Sequence, residues 1–213
     1  AITHAFRTLQ GLGALTPAIL TSIESDDPGL LENQLFAISE LGLEDSATDF
    51  ISAIQAMEAG RPRFLAHALF PDISPDPEMI TALLLNHPED TWLRKAIFSA
   101  SPDLVPGILI SLLSSEEFLT TNVDATAEVL SDMARLTAAS GSLEDLNAVV
   151  EKLAGQPEWW HFSVVSGISK GLPRSQLDTR TLSALMANPP ESFGPASERL
   201  TQIANSASRI ALD

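Results

Sequence analysis

The sequence contains no cysteine and no tyrosine, only 12 Lys plus Arg against 28 Asp plus Glu, and no long uninterrupted apolar run. Each shortage closes off a class of chemistry. Without cysteine the chain has no disulfide, no thiolate metal ligand, no Cys-x-x-Cys-His attachment for haem and no cysteine nucleophile. The compartment stays open on this ground, because a cysteine-free chain suits either redox environment. A formal charge of -16 and a pI near 4.4 oppose the phosphate neutralisation that nucleic acid or anionic lipid would demand. Neither is an expected partner, and a protein partner should be neutral or basic. The apolar stretches 80–85 and 105–113 fall short of the ~18 residues a spanning helix needs, and Pro106 interrupts the second. No direct membrane insertion is expected. Strand signals are as scarce: β-branched alternation is rare and no Asn-Gly or Asp-Gly hairpin turn occurs.

What is present is 45% apolar residues in 213 positions, enough for one folded domain or a short array. Ile2, Ala5, Phe6 and Leu9 stand at helical spacing with no cap before them, and 208–213 also reads as helix. The expectation is a single helical-repeat domain over 1–213, excised from a longer multidomain chain.

Proline and glycine cut the sequence into helix-length pieces. Thr16-Pro17 and Asp27-Pro28 each place a capping side chain before a proline at the first helical position, and Gly42 supplies a stop. A helix carrying Phe50, Ile51, Ile54 and Met57 starts at Asp45 or Ser46 and ends at Gly60. Arg61-Pro62 opens the next, which Pro71 closes. Ser74-Pro75-Asp76-Pro77-Glu78 begins another, Asp90 the next, and Ser101-Pro102 one that runs to about Leu113. Helices from Asn122, from Ser142 after Gly141, and over Trp159 to Leu172 follow, with Gln156-Pro157 as a break. The last two span about Asp178 to Ala187 and Pro195 to Leu212. Ser142 and Asp145 stand at capping-box spacing.

The second helices of successive hairpins thus begin near Pro28, Arg61, Thr91, Asn122 and Trp159, at intervals of 33, 30, 31 and 37. A helical hairpin recurring at this period is the signature of an α-solenoid, in which each hairpin buries its face only against its neighbours. The expected class is all-α, an α-solenoid of about five to six HEAT/armadillo-like hairpins. An irregular helical bundle would use the same punctuation.

Candidate chemistry is sparse. Gly167-Ile168-Ser169-Lys170-Gly171 spells the G-x-S-x-G nucleophile elbow, but the elbow requires a strand-to-helix turn, and here a helix precedes it. Gly167 reads better as a helix-packing contact and Gly171 as a helix stop. His4, His67, His87 and His161 never pair at i and i+3 or i+4, so no helix face presents two imidazoles to a metal. Asp72, Asp76 and Glu78 lack the calcium-loop spacing and its glycine, and acids at a helix start are explained by the helix dipole. Trp92, Trp159 and Trp160 each open a second helix. Tryptophan is favoured in binding hot spots, yet their matched repeat positions favour wedging between repeats. No catalytic, cofactor-binding or metal-ligating residue is assigned, and no partner-binding residue is fixed.

Three stretches carry a resemblance. Ala5-Phe6-Arg7-Thr8-Leu9-Gln10-Gly11-Leu12-Gly13-Ala14-Leu15 with Asp27-Pro28, then Asp90-Thr91-Trp92-Leu93-Arg94-Lys95-Ala96-Ile97-Phe98-Ser99-Ala100, then Trp160 through Gly167 to Gly171-Leu172 resemble, in the same order, the HEAT-like segment of large bacterial membrane-bound dehydrogenase proteins with a haem-binding c-type cytochrome domain. Leu30-Leu31-Glu32-Asn33 departs from the more basic helix start usual there. The resemblance implies an extracytoplasmic, periplasmic redox protein, in which this segment is a noncatalytic spacer between a sorbosone- or glucose-dehydrogenase-like propeller and the cytochrome domain. It implies haem c in the parent chain and no cofactor here, with the neighbouring domains as partners. The alternatives are a stand-alone acidic protein-binding adaptor and an enzyme of helical fold.

Overall fold

The computed structural model describes residues 2–23, 25–57, 60–70, 77–100, 102–120, 123–140, 142–153, 158–175, 177 and 180–210. Its α-helices in chain order are α1 (Ile2–Gly11), α2 (Pro17–Ser22), α3 (Pro28–Leu41), α4 (Thr48–Gln55), α5 (Arg61–Leu69), α6 (Pro77–Asn86), α7 (Thr91–Ala100), α8 (Val105–Leu112), α9 (Glu116–Thr120), α10 (Val123–Ser140), α11 (Leu143–Lys152), α12 (Trp159–Gly171), α13 (Leu182–Ala187) and α14 (Pro195–Ile210). Among the described residues every regular element is helical, as the sequence implies. The signals at Pro71, Asp72, Ser74, Pro75, Asp76, Ser101, Asn122, Gly141, Gln156, Pro157, Asp178 and 211–213 lie outside the described residues.

The punctuation sets the helix boundaries. Thr16 Oγ1 accepts from the Ile19 N–H, and Asp27 Oδ1 accepts from Gly29 and Leu30, each ahead of a proline that has no N–H to leave unpaired. Gly42 ends α3 in the left-handed region at φ 64°, with its N–H returned to Ile38. Ser142 accepts from Asp145 at the start of α11.

Two stretches break more than their apolar spacing implies. Over 44–57 a 3-10 turn at Glu44–Ser46 precedes α4, which stops at Gln55, and Gly60 caps the start of α5 instead of ending the helix before it. Over 102–113 a 3-10 turn at Pro102–Leu104 precedes α8, and Pro106 sits in the first turn of that helix, where proline is tolerated.

The chain divides into two compact units, residues 1–76 with 90–101 and residues 77–89 with 102–213. In the first, α3 packs on α1, α2 and α5, α4 packs on α5, and α5 packs on α7. Leu20, Leu35, Ile38 and Ile51 are fully buried in its core. Each such side chain contributes about 1.5–3 kcal/mol, whereas a cap contributes about 1 kcal/mol. Burial therefore supplies the stability while caps fix the boundaries.

Two buried glutamines close helix ends within this unit. Gln34 Nε2 on α3 donates to the carbonyls of Leu20 (2.7 Å) and Ile23 (3.1 Å), and Gln55 Nε2 on α4 donates to those of Ala66 and Phe70, both at 3.4 Å. The last carbonyls of a helix have no partner within it, so each amide satisfies the end of a neighbouring helix from inside the core.

In the second unit α8 packs on α6, α10 and α11, and α14 packs on α11, α12 and α13. The tightest pairing joins α10 to α12. A Cβ at Gly167 would lie 2.3 Å from the Ser131 carbonyl oxygen, and one at Gly171 would lie 2.1 Å from that of Arg135. Hydrogen is the only side chain this backbone-to-backbone approach admits. Gly167 is the packing contact its sequence context implies. Gly171 ends α12 as expected, but with helical backbone (φ -82°) before a 3-10 turn at Leu172–Arg174, and it is a second packing contact one turn on.

Candidate functional site

The openings of α5 and α7 in the first unit frame a cleft of about 530 Å³, lined by Gly60, Arg61, Phe64, Asp90 and Trp92. Its one acid, Asp90, is held in an ion pair with Arg63. Arg63 is 1% exposed, donates Nη1 to the Met57 carbonyl at 3.0 Å, and pairs through Nη2 with Asp90 Oδ2. The other oxygen of Asp90 caps α7, accepting from the N–H of Trp92 (3.1 Å) and Leu93 (2.9 Å). Burial by itself would raise the Asp90 pKa, but the Leu93 and Trp92 amides and the Arg63 guanidinium outweigh it and hold the carboxyl below its ordinary value. One carboxylate thereby joins α5 to α7 and fixes the first turn that carries Trp92.

Trp92 is 65% exposed. Its ring meets Phe64 edge-to-face at 5.8 Å between centroids and 76° between planes, and Lys95 Nζ lies 5.0 Å from the centroid of the same ring. Arg61, also exposed, reaches Glu32 through Nε at 3.5 Å. The result is an aromatic wall with Arg61 beside it, Lys95 over the Trp92 ring and a neutralised acid in the lining. Such a cleft can hold an apolar group. Asp90 is committed to Arg63 and the α7 amides, which does not suit it to abstracting a proton.

One turn from Arg63 on the buried side of α5 is His67. Burial, opposed by a hydrogen bond to the Gln55 backbone, then the Arg63 charge, opposed by that of Asp90, bring its pKa from 6.5 to about 4. Its Nε2 is buried without a partner, so Nδ1 carries the proton donated to Gln55. His67 is a neutral packing residue.

The tryptophans do not share one role. Trp160 is buried, stacks on His161 at 3.7 Å and donates Nε1–H to Glu158 at 3.1 Å, and His161 Nδ1 accepts the Glu158 N–H at 2.7 Å. That cluster closes the start of α12, with the Trp160 ring buried in it. Trp159 is half-buried. Trp92 overturns the wedge expectation, since its ring lies mostly in solvent.

A second groove, about 590 Å³, runs between α10 and α12 past Ser131, Asp132, Phe162, Ser166 and Lys170. It overlies the glycine contacts, and Asp132 pairs across one turn with Arg135. Ser169 is exposed in the last turn of α12, without the strand-to-helix turn of a nucleophile elbow. His4 is exposed on α1, His87 follows α6 half-buried and His161 is buried on α12. Among the described residues no three His, Asp or Glu side chains stand together as a metal site, and no single helix is long and apolar enough to cross a membrane. Asp72 and Asp76 lie outside the described residues, and Glu78 occupies the first turn of α6.

The cleft residues were only half visible in the sequence. Trp92 stands in the second of the three resembling stretches, beside the capping Asp90. The Arg63–Asp90 pair, whose members stand 27 positions apart in sequence, has no local signal beyond a capping aspartate. Set against known proteins, the chain matches no family model, no curated protein and no solved structure.

Proposed function

We propose that the chain is a noncatalytic helical-repeat scaffold of the HEAT type that works by holding another protein surface, with the Trp92 cleft as a docking point. The exposure of Trp92 carries the reading. An isolated indole left 65% in solvent, yet held by a capped helix start and an edge-on phenylalanine, is pre-organised for contact, as in binding hot spots. The ladder of second helices supports the repeat reading: α5 stacks on both α3 and α7 in one unit, and α12 on α10 and α14 in the other.

The resemblance extends the proposal. In a membrane-bound dehydrogenase of the kind described, the scaffold would be the spacer between propeller and c-type cytochrome domain, and the docked surface would belong to one of those neighbours. A Cys-x-x-Cys-His motif encoded downstream of this segment supports that role, and its absence from the complete coding sequence leaves the adaptor. The docking function is tested by selecting a random peptide display library on the wild-type chain and counter-selecting on Trp92→Ala, whose fold should persist because the side chain is exposed. Peptides that bind the first and not the second are expected. A selection that yields none refutes the reading.

A further inference from the structure

The cleft also indicates what it would hold. We propose that the Trp92 cleft takes an apolar side chain flanked by a carboxylate, so that the docking segment of the partner is acidic at the point of contact. This rests on the docking function above and specifies its occupant.

Local charge selects the occupant. The chain has 12 Lys and Arg in all, and four of them, Arg61, Arg63, Arg94 and Lys95, belong to α5 and α7. Arg63 is consumed by Asp90, and that carboxylate, with both oxygens engaged, offers nothing to a cationic ligand. Arg94 is buried. Arg61 and Lys95 are left. Glu32 touches Arg61 at Nε only, which leaves its two terminal nitrogens without a partner among the described residues. Among the described residues Lys95 meets only the Trp92 ring. The apolar surfaces of Phe64 and Trp92 line the cleft beside Arg61, and Lys95 stands over the Trp92 ring. A leucine or phenylalanine side chain fits against the rings, and a carboxylate one or two residues away meets Arg61 or Lys95.

The net charge of -16 argues the other way, toward a neutral or basic partner. Distance decides between them. In physiological salt, charges separated by more than about 8 Å are largely screened, whereas a contact pair at the cleft acts within about 4 Å. Net charge slows the approach of an acidic segment, and these two cations govern its bound state.

The display selection above supplies the test. Peptides that depend on Trp92 should be enriched in Asp or Glu within two positions of an aromatic or large aliphatic residue. In calorimetric titration of one such peptide, changing its acidic residues to Asn or Gln should weaken binding about two- to fivefold, the range for exposed charge pairs. The loss should vanish on an Arg61→Gln, Lys95→Gln chain, whose helical content by circular dichroism should match the wild type. Trp92-dependent peptides that are neutral or basic, or an amide-for-acid change with no effect on the wild-type chain, overturn the inference while leaving the docking function intact. Failure to obtain any Trp92-dependent peptide overturns both.

Discussion

Lowering the pH should destabilise the first unit through His67, by an amount that follows from its burial. The imidazole titrates near 6.5 when unfolded and about 4 when folded. Between these values the unfolded chain binds a proton that the folded chain refuses, so stability is fully present above about pH 6.5 and is lost as pH falls toward 4. At about 1.36 kcal/mol per pH unit this depression corresponds to about 3 kcal/mol, of which about 2 kcal/mol is lost between pH 7 and 4.5. That is large against the 5–15 kcal/mol typical of a domain. His67→Asn keeps a donor near the Nδ1 position and removes the titration. Urea unfolding of both chains at half-unit pH steps gives a difference in which the carboxylates and His161 cancel. The wild-type advantage should shrink by about 1.4 kcal/mol per pH unit below pH 6. A difference that stays flat from pH 7 to 4.5 would show that the ring is solvated or charged in the fold.

Two further predictions concern packing and the ion pair. Gly167→Ala should cost about 3 kcal/mol by overpacking, because its Cβ meets the Ser131 carbonyl and Ala134, while Gly107→Ala in α8, whose Cβ meets nothing within 4 Å, should stabilise by about 0.5–1 kcal/mol. Thermal melts giving the same sign for both would refute the glycine seam. Asp90→Asn strands the 1% exposed Arg63 and should cost about 3 kcal/mol or more, whereas Arg63→Met leaves only the more exposed Asp90 unpaired and should cost less. The reverse order in chemical denaturation would mean that Arg63 is not truly buried.

Much of the helical framework can be read directly from punctuation, because its causes are local. The starts at Pro28, Arg61, Thr91 and Trp159 coincide with the expected ones, while the expected start at Asn122 lies outside the described residues. A capping side chain, a proline without an N–H and a stop glycine act within one turn, so neighbouring letters reveal them. The early end of α4 at Gln55 is not local. Gln55 is drawn into the core to satisfy the end of α5, and nothing near it in sequence announces that role. The same holds for Gln34, Arg63 and His67, polar residues buried by partners on other helices. Trp92 was misjudged for a related reason: repeat position sets which helix a residue occupies, but the neighbouring helix decides whether its ring is covered.

The glycine seam between α10 and α12 also bears on how the second unit would deform under load. Where two helices meet through side chains, bending can be absorbed by rotamer changes and small slides. Where main chain rests on main chain, as beneath Ser131 and Arg135, there is no such compliance in compression, because packed interiors resist it. Strain applied along the helix ladder would pass through this joint as through a rigid hinge plate and collect at the side-chain contacts between α12 and α14. A tethered pull on α14 should therefore peel that helix away while α10 and α12 stay together.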